Sequence, residues 1–380
     1  MIERTYVQIV RQRLSEYPAV AIVGPRQSGK TTLAREIGGH YFDLEQETDR
    51  VGLDLRWDSL VEGERLIILD EAQEWPELSK RLRGEIDRRR ERHGRFLLLG
   101  SVSPALMKHV SESLAGRMSL VELTPFLWGE LPADRRPHLW MCGGYPDGGI
   151  LDGSAYPRWQ RDYIQLLTAR DLPTWGLAAR PRLTQRFFRM LAVVHGQTLN
   201  ASQLGKSLDI SYKTVNTYLD YLEGAFLIRR LPPWHANLKK RVVKSPKVYW
   251  RDSGLLHALN NVPDEDALFS QPWVGASWEG FVVEQVIDAM KLAGMLFEPY
   301  FFRTADGYEL DLVLDVGGEL WAVEIKLTSA PSPSDIRRLD KTADLIDAKK
   351  RFLISRTAQN ADNGTTFSCS LQWFLEDICR

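Results

Sequence analysis

The sequence predicts an α/β protein of more than one unit, and three observations carry that expectation. Up to about residue 131, short apolar runs alternate with charged, helix-like stretches, as strands alternate with crossover helices. Residues 132 to about 261 turn helical and aromatic, with turn signals at Cys142-Gly-Gly-Tyr-Pro-Asp-Gly-Gly. From Trp273 onward a helix-like stretch precedes a strand pair and a second alternating αβ pattern. The 380 residues also exceed the roughly 100–200 of a usual domain. The divisions read as a core over 1–132, a helical lid or linker over 133–184, a helix-turn-helix unit over 185–260 and a final domain over 273–380. The stretch 261–272, with its prolines and acids, reads as a connector.

Composition excludes several classes. A hydrophobic share of 44% with 26% charged residues is ordinary for a globular chain. No apolar run approaches the ~20 residues of a membrane helix. The opening MIERTYVQIV carries early charges and lacks the apolar core of a secretory signal. Three scattered cysteines give neither a disulfide framework nor metal-ligand spacing. A soluble, cytoplasmic protein without membrane contact is expected. The net charge of −1 sets up no global basic field for nucleic acid. Basic residues do cluster locally, in Lys239-Lys240-Arg241 followed by Lys244 and Lys247, a kind of run that ordinarily forms a solvated surface.

The first element with chemistry is Gly24-Pro25-Arg26-Gln27-Ser28-Gly29-Lys30-Thr31, which fits G-x-x-x-x-G-K-S/T. Ala19-Val-Ala-Ile-Val23 supplies the buried strand before it, and a helix can begin around Thr32. Glycine permits the tight path that aims backbone N–H groups at phosphate oxygens, and the helix N-terminus adds partial positive charge. ATP with magnesium is the expected ligand. Lys30 should reach the β- and γ-phosphates, with the Thr31 hydroxyl on the metal. The next is Leu66-Ile-Ile-Leu69-Asp70-Glu71, a buried strand with two carboxylates at its C-terminal end, where α/β sheets place ligands. Asp70 should hold magnesium, and Glu71 should act as general base on the attacking water.

The strand Phe96-Leu-Leu-Leu99 ends in Gly100-Ser101, and Ser113-Leu-Ala-Gly116-Arg117 follows. A polar Ser101 there can orient the water. Here the arrangement resembles AAA+ ATPases. The resemblance implies Ser101 at the sensor position and Arg117 where many members carry an arginine finger for a neighbouring subunit. A homo-oligomer, a hexamer-like ring, is therefore implied. The plainer reading pairs Arg117 with a local carboxylate.

Asn200-Ala-Ser-Gln-Leu204-Gly-Lys-Ser-Leu208 reads as a short capped helix. After a turn, Ser211 caps a second helix with apolar positions Val215, Leu219, Leu222 and Phe226. Leu227-Ile228 and Pro232-Pro233 can form a wing. This is the outline of a winged helix-turn-helix, which presents Tyr212, Lys213, Thr214, Asn216 and Thr217 to a DNA groove. A helical pair used only for packing fits the same pattern.

In Tyr308-Glu309-Leu310-Asp311-Leu312-Val313-Leu314-Asp315, the two-residue strand period puts Glu309 and Asp311 on one face. The returning strand Trp321-Ala-Val323-Glu324-Ile325-Lys326 puts Glu324 with Lys326. A hairpin can bring Asp311, Glu324 and Lys326 together, two carboxylates for magnesium and a lysine for water or phosphate. A salt-bridged hairpin fits as well. The cluster resembles the PD-(D/E)xK, restriction-endonuclease-like superfamily. Glu279, in Trp278-Glu-Gly-Phe-Val-Val-Glu284, matches the extra helical acid of some branches, whereas Leu310 stands where the motif carries proline.

The loop, the winged helix, the phrase Lys244-Ser-Pro-Lys-Val-Tyr-Trp-Arg-Asp252-Ser-Gly-Leu and the acidic ending together resemble one prokaryotic family. It is the family of AAA+ ATPases whose C-terminal part was catalogued as a domain of unknown function. The resemblance spans nearly the whole chain and implies fold and ATP binding. An oligomeric ATPase that binds branched or junction DNA and cuts it with magnesium is the leading expectation. The alternatives are a translocase with a non-catalytic nuclease fold and an ATP-dependent switch that binds a partner protein.

Overall fold

Burial on both faces decides the first sheet. Strands β1 (Ala19–Val23) and β4 (Phe96–Gly100) are buried at every position, which a strand achieves when both faces of its sheet are covered. With β2 (His40–Asp43), β3 (Ile67–Asp70) and β5 (Met118–Glu122) they form a five-stranded sheet in the order β2-β3-β4-β1-β5. Every pairing in it is parallel. The computed structural model describes residues 2–75, 77–101, 114, 116–177, 180–235 and 243–378. The chain divides into Met1–Phe126 with Gly224–Leu227, and Leu127–Glu223 with Ile228–Arg380.

In the first unit, helices α1 (Tyr6–Glu16), α2 (Lys30–Ile37), α3 (Glu47–Glu62) and α4 (Leu78–Arg88) accompany the sheet. From β1 the chain passes to the far edge at β2 and returns through β3 and β4, while β5 takes the other side of β1. Such a reversal opens a crevice at the carboxyl ends of the strands, where open α/β sheets bind ligands. Gly24, the Asp70–Glu71 pair and Ser101 all follow those ends.

The second unit contains helices α5 (Arg158–Leu166), α6 (Pro181–Val193), α7 (Ala201–Leu208) and α8 (Tyr212–Gly224). The expected caps are present. Asn200 Oδ1 accepts from Gln203 N at 3.0 Å, and Ser211 Oγ accepts from Thr214 N at 3.0 Å. Val215, Leu219 and Leu222 are buried, so the apolar stripe of α8 faces inward. Strands β6 (Ile228–Leu231) and β7 (Lys247–Trp250) pair antiparallel. Helix α9 (Ser253–Leu259) follows, and the expected connector holds a short helix, α10 (Glu265–Phe269), capped by Asp264.

Helix α11 (Val274–Leu292) leads into β8 (Phe297–Arg303), β9 (Glu309–Val316) and β10 (Glu319–Ile325), an antiparallel meander. Strands β11 (Lys350–Ser355) and β13 (Thr366–Ser370) add in parallel, and the short β12 (Ala361–Asp362) pairs antiparallel with β13, completing a six-stranded sheet in the order β12-β13-β11-β10-β9-β8. Helix α12 (Pro333–Ala343) covers it, with Leu339 and Ala343 packed against Phe302, Leu310, Val313 and Leu353. Helix α13 (Leu371–Asp377) ends the described chain.

The basic run does not form one surface. Lys247 is buried, 1% exposed, and belongs to the core of the second unit. Lys239, Lys240 and Arg241 lie outside the described residues, as does Ser113. No helix among the described residues is long and apolar enough to cross a membrane.

Candidate functional site

The loop 24–29 turns the chain from β1 into α2. A Cβ on Gly24 would lie 2.1 Å from the carbonyl oxygen of Leu123, so only glycine lets the loop leave the sheet beside β5. Gly29, at φ +97°, starts α2 from the left-handed region that favours glycine. Lys30 folds back over the loop, its Nζ donating to the carbonyls of Gly24 at 3.0 Å and Pro25 at 2.8 Å. Burial lowers its pKa to about 8, although Glu71 and Asp70 pull in the other direction. The Ser28 hydroxyl is buried without a hydrogen-bond partner among the described residues, an acceptor and donor left for a ligand. Arg26 pairs with Glu45 at 3.0 Å, Gln27 takes a left-handed φ of +61°, and Thr32 is exposed on α2.

At the end of β3 the two expected carboxylates diverge in role. Asp70 Oδ2 accepts from Thr31 Oγ1 at 2.7 Å and from the Tyr41 hydroxyl at 2.7 Å, and Oδ1 accepts from Glu71 N at 2.9 Å. Glu71 sits at φ +50° and turns its carboxylate the other way. There its Oε1 accepts from Ser101 Oγ at 2.9 Å, and Oε2 accepts from the Gln73 amide. A hydroxyl and a carboxylate in contact are the oxygen donors a hard divalent cation takes. Thr31 and Asp70 therefore fit magnesium, and Lys30 with the Ser28 hydroxyl fits a polyphosphate.

Arg117 lies across from α4, with Nε and Nη2 donating to the two oxygens of Asp87 at 2.8 and 2.9 Å. The Asp87 contact holds the guanidinium pKa above the ordinary arginine value. Two residues escaped the sequence reading. Tyr41 buttresses Asp70, and burial with the Asp70 contact raises its hydroxyl pKa. Arg4 donates to the carbonyls of Ser28 at 3.1 Å and Thr124 at 2.7 Å, and stacks 4.6 Å from the Phe126 ring. It thereby ties the loop to the chain beyond β5. Neither residue lies in a motif, and only the fold brings them to the loop.

The second constellation gathers around β9 and β10. Asp311 Oδ2 accepts from Ile325 N at 2.8 Å, and Lys326 Nζ lies 2.6 Å from Glu324 Oε1. Glu279 joins from α11, but its Oε1 is taken by Lys247 Nζ at 2.8 Å and the Tyr249 hydroxyl at 2.6 Å. The same Nζ reaches Glu309 Oε1 at 2.9 Å and Asp311 Oδ1 at 3.6 Å. Burial, then the nearby Asp311, pushes the carboxyls of Glu279 and Glu324 up to about 7. Burial alone would lower the Lys247 pKa. Tyr249, Glu279, Asp311 and Glu309 outweigh it and keep the ammonium charged. Among the described residues no three His, Cys, Asp or Glu side chains group as a metal site.

On α8, Tyr212, Lys213 and Thr217 are exposed and Thr214 and Asn216 half-buried. Asn216 and Thr217 bond back to the carbonyls of Tyr212 and Lys213, both at 3.1 Å. The arginines of β6 are engaged elsewhere. Arg229 meets Glu284, and Arg230 meets Asp220 and Glu223.

Comparison with known proteins follows this division. Residues 16–131 match the family described as AAA domain. Residues 134–266 and 274–374 match two families described as domains of unknown function, DUF8612 and DUF4143. The chain is similar to the uncharacterized proteins Rv2008c of Mycobacterium tuberculosis and Mb2031c of Mycobacterium bovis. Each is 39% identical over 365 residues, which covers 92% of this chain and 80% of the relative. Among solved structures it resembles the Walker-type ATPase PABY2304 of Pyrococcus abyssi. The TM-score is 0.51 at 15% identity, covering 68% of this chain and 96% of that one. That likeness is one of fold.

Proposed function

Given that the chain belongs to the family of these mycobacterial proteins, an AAA domain followed by two domains of unknown function, we propose that it hydrolyses ATP and couples turnover to DNA binding. The observation that carries the first half is the pair of contacts at the end of β3, Thr31 to Asp70 and Ser101 to Glu71. Bound magnesium supplies charge neutralisation on the phosphates. Thr31 and Asp70 would hold it. The loop amides and Lys30 bind the phosphate oxygens, exchanging the Gly24 and Pro25 carbonyls for stronger anionic acceptors. Glu71 accepts a proton from water, and Ser101 fixes the rotamer in which it does so.

The partly neutralised Lys30 supports a direct test of nucleotide binding. A triphosphate beside a buried amine favours its charged form. Binding at about pH 8.5 should therefore take up a fraction of a proton, and binding near pH ~7 almost none. Calorimetry in buffers of different ionisation enthalpy reads this number. Enthalpies that do not vary with buffer at the higher pH would remove Lys30 from contact with phosphate.

The second half rests on α7 and α8 with the β6-β7 pair, a helix-turn-helix whose exposed Tyr212, Lys213 and Thr217 stand free of the core. We read it as a winged helix that holds duplex or branched DNA by backbone contacts. Duplex, forked and four-way DNA should then stimulate ATP hydrolysis, and single-stranded DNA should do so less. Lys213→Ala should lower the log–log salt slope of binding by roughly 0.9 if the lysine meets one phosphate. ATP hydrolysis indifferent to every DNA would reject this half and favour the switch that binds a partner protein. Arg117, half-buried in the first unit against Asp87, is proposed to serve a neighbouring subunit in a ring, leaving Asp87 when subunits meet.

A further inference from the structure

The phrase Lys247-Val-Tyr-Trp-Arg251 is a strand followed by one residue, so Lys247, Tyr249 and Arg251 share one face. That face lies along the acids of α11. Lys247 and Tyr249 meet Glu279, and Arg251 meets Glu284 at 3.0 Å and Asp288 at 3.2 Å. The spacing is commensurate. The four steps from Lys247 to Arg251 span ~13 Å of strand, and the nine steps from Glu279 to Asp288 rise ~13.5 Å along a helix. The strand is therefore anchored to α11 at both ends, and Lys247 is fixed at one of them.

Its ammonium sits where the nuclease-like acids converge. The three donors of Nζ face Glu279 Oε1 from the helix and Glu309 Oε1 and Asp311 Oδ1 from β9. The remaining contacts leave no carboxylate of the cluster without a protein donor. Asp311 Oδ2 holds the Ile325 amide, Glu324 holds Lys326, and Glu309 Oε2 is 3.6 Å from Arg303 Nε. Magnesium would need oxygens of this cluster at roughly 2.0–2.1 Å, beside a fixed, buried positive charge already in contact with Glu279, Glu309 and Asp311.

We propose that Lys247 is the resident cation of this cluster, and that the C-terminal domain keeps its nuclease-like acids as a closed ionic core that takes no divalent metal. The domain then contributes binding surface and stability, and DNA held by the protein is not cut. This does not depend on the reading of the first unit as an ATPase.

The test is a manganese titration of the full-length chain carrying Asp70→Asn, without nucleotide, so that the Thr31–Asp70 pair does not contribute. Free Mn²⁺ is followed by electron paramagnetic resonance, beside a nicking assay on plasmid and four-way DNA. With Lys247 intact, no site of submillimolar affinity and no nicking above background are expected. One bound Mn²⁺, or nicking, that disappears on Glu324→Gln overturns the proposal. Lys247→Met should then create a site, with Mn²⁺ binding at least about tenfold tighter as three carboxylates lose their counter-ion. If that variant fails to fold, Lys247→Gln with Glu279→Gln removes one charge of each sign and should still gain affinity. A folded variant of either kind that gains none would show that the lysine is not what closes the cluster.

Discussion

Glu71→Gln should bind ATP as the wild type does and hydrolyse it about 10²–10⁴-fold more slowly, the usual contribution of a positioned general base. The substitution is nearly isosteric, so the Ser101 hydroxyl keeps an acceptor and the left-handed turn after β3 is undisturbed. Asp70 retains Thr31, Tyr41 and the amide of residue 71, and with them the cation-holding pair. What is lost is the basicity of one carboxylate. Lys30→Ala should behave differently and lose nucleotide affinity itself, because the loop would keep its amides and lose its ammonium. Single-turnover hydrolysis beside a fluorescent-nucleotide titration separates the two. Wild-type turnover in Glu71→Gln would remove that residue from the role of base. Mixing Glu71→Gln with Arg117→Ala subunits adds the oligomeric dimension. Activity above that of either parent alone requires a site built from both chains, and none is expected if Arg117 serves only Asp87.

The range of each interaction decides how much of the site is legible in the sequence. The loop, Asp70, Glu71 and Ser101 were legible because each stands at the end of an unbroken apolar run. The end of a buried parallel strand is a fixed place in an α/β sheet. The caps at Asn200 and Ser211 were legible for a similar reason, since capping acts within three residues. Tyr41 and Arg4 were not, because their partners Asp70, Ser28 and Thr124 are 29, 24 and 120 residues away and no local rule selects them. Lys247 shows the same limit more sharply. Read beside Lys239-Lys240-Arg241 it joins a basic surface run. Read by strand period it shares a face with Tyr249 and Arg251. The acids that face it come from α11 and β9, and only the tertiary structure turns a surface lysine into a buried one. The C-terminal motif was thus legible as residues in a pattern, while the counter-ion at its centre was not.

The same strand and helix carry the largest expected effect on stability. Glu284→Ala should destabilise the protein by about 3–5 kcal/mol, the loss found when one partner of a buried ion pair is removed. Glu284 is 3% exposed and accepts from Arg229 Nε at 2.5 Å and Nη2 at 2.7 Å, and from Arg251 Nε at 3.0 Å. Asp288 takes the second nitrogens of both arginines, at 3.3 and 3.2 Å. Two largely buried guanidinium groups therefore share two buried carboxylates. Deleting one acid leaves like charges side by side with half their compensation, in a place only sparingly open to water. Removing Arg229 together with Glu284, as methionine and leucine, should cost less than Glu284→Ala alone, because the Arg251–Asp288 pair is left intact and no charge is stranded. The pH dependence has a definite sign. Burial would raise the Glu284 pKa, but Arg229 and then Arg251 outweigh it and bring it below the ordinary carboxylate value. A carboxylate with a depressed folded pKa stabilises above the unfolded value of about 4.3, and that contribution fades as pH falls through the folded one. Urea unfolding followed by circular dichroism should show the gap between wild type and Glu284→Ala at its full size near pH ~7, and narrowing only well into the acid range. A gap under about 1 kcal/mol at neutral pH would place these charges in the range of surface pairs and reject the buried network as a determinant of the second unit's stability.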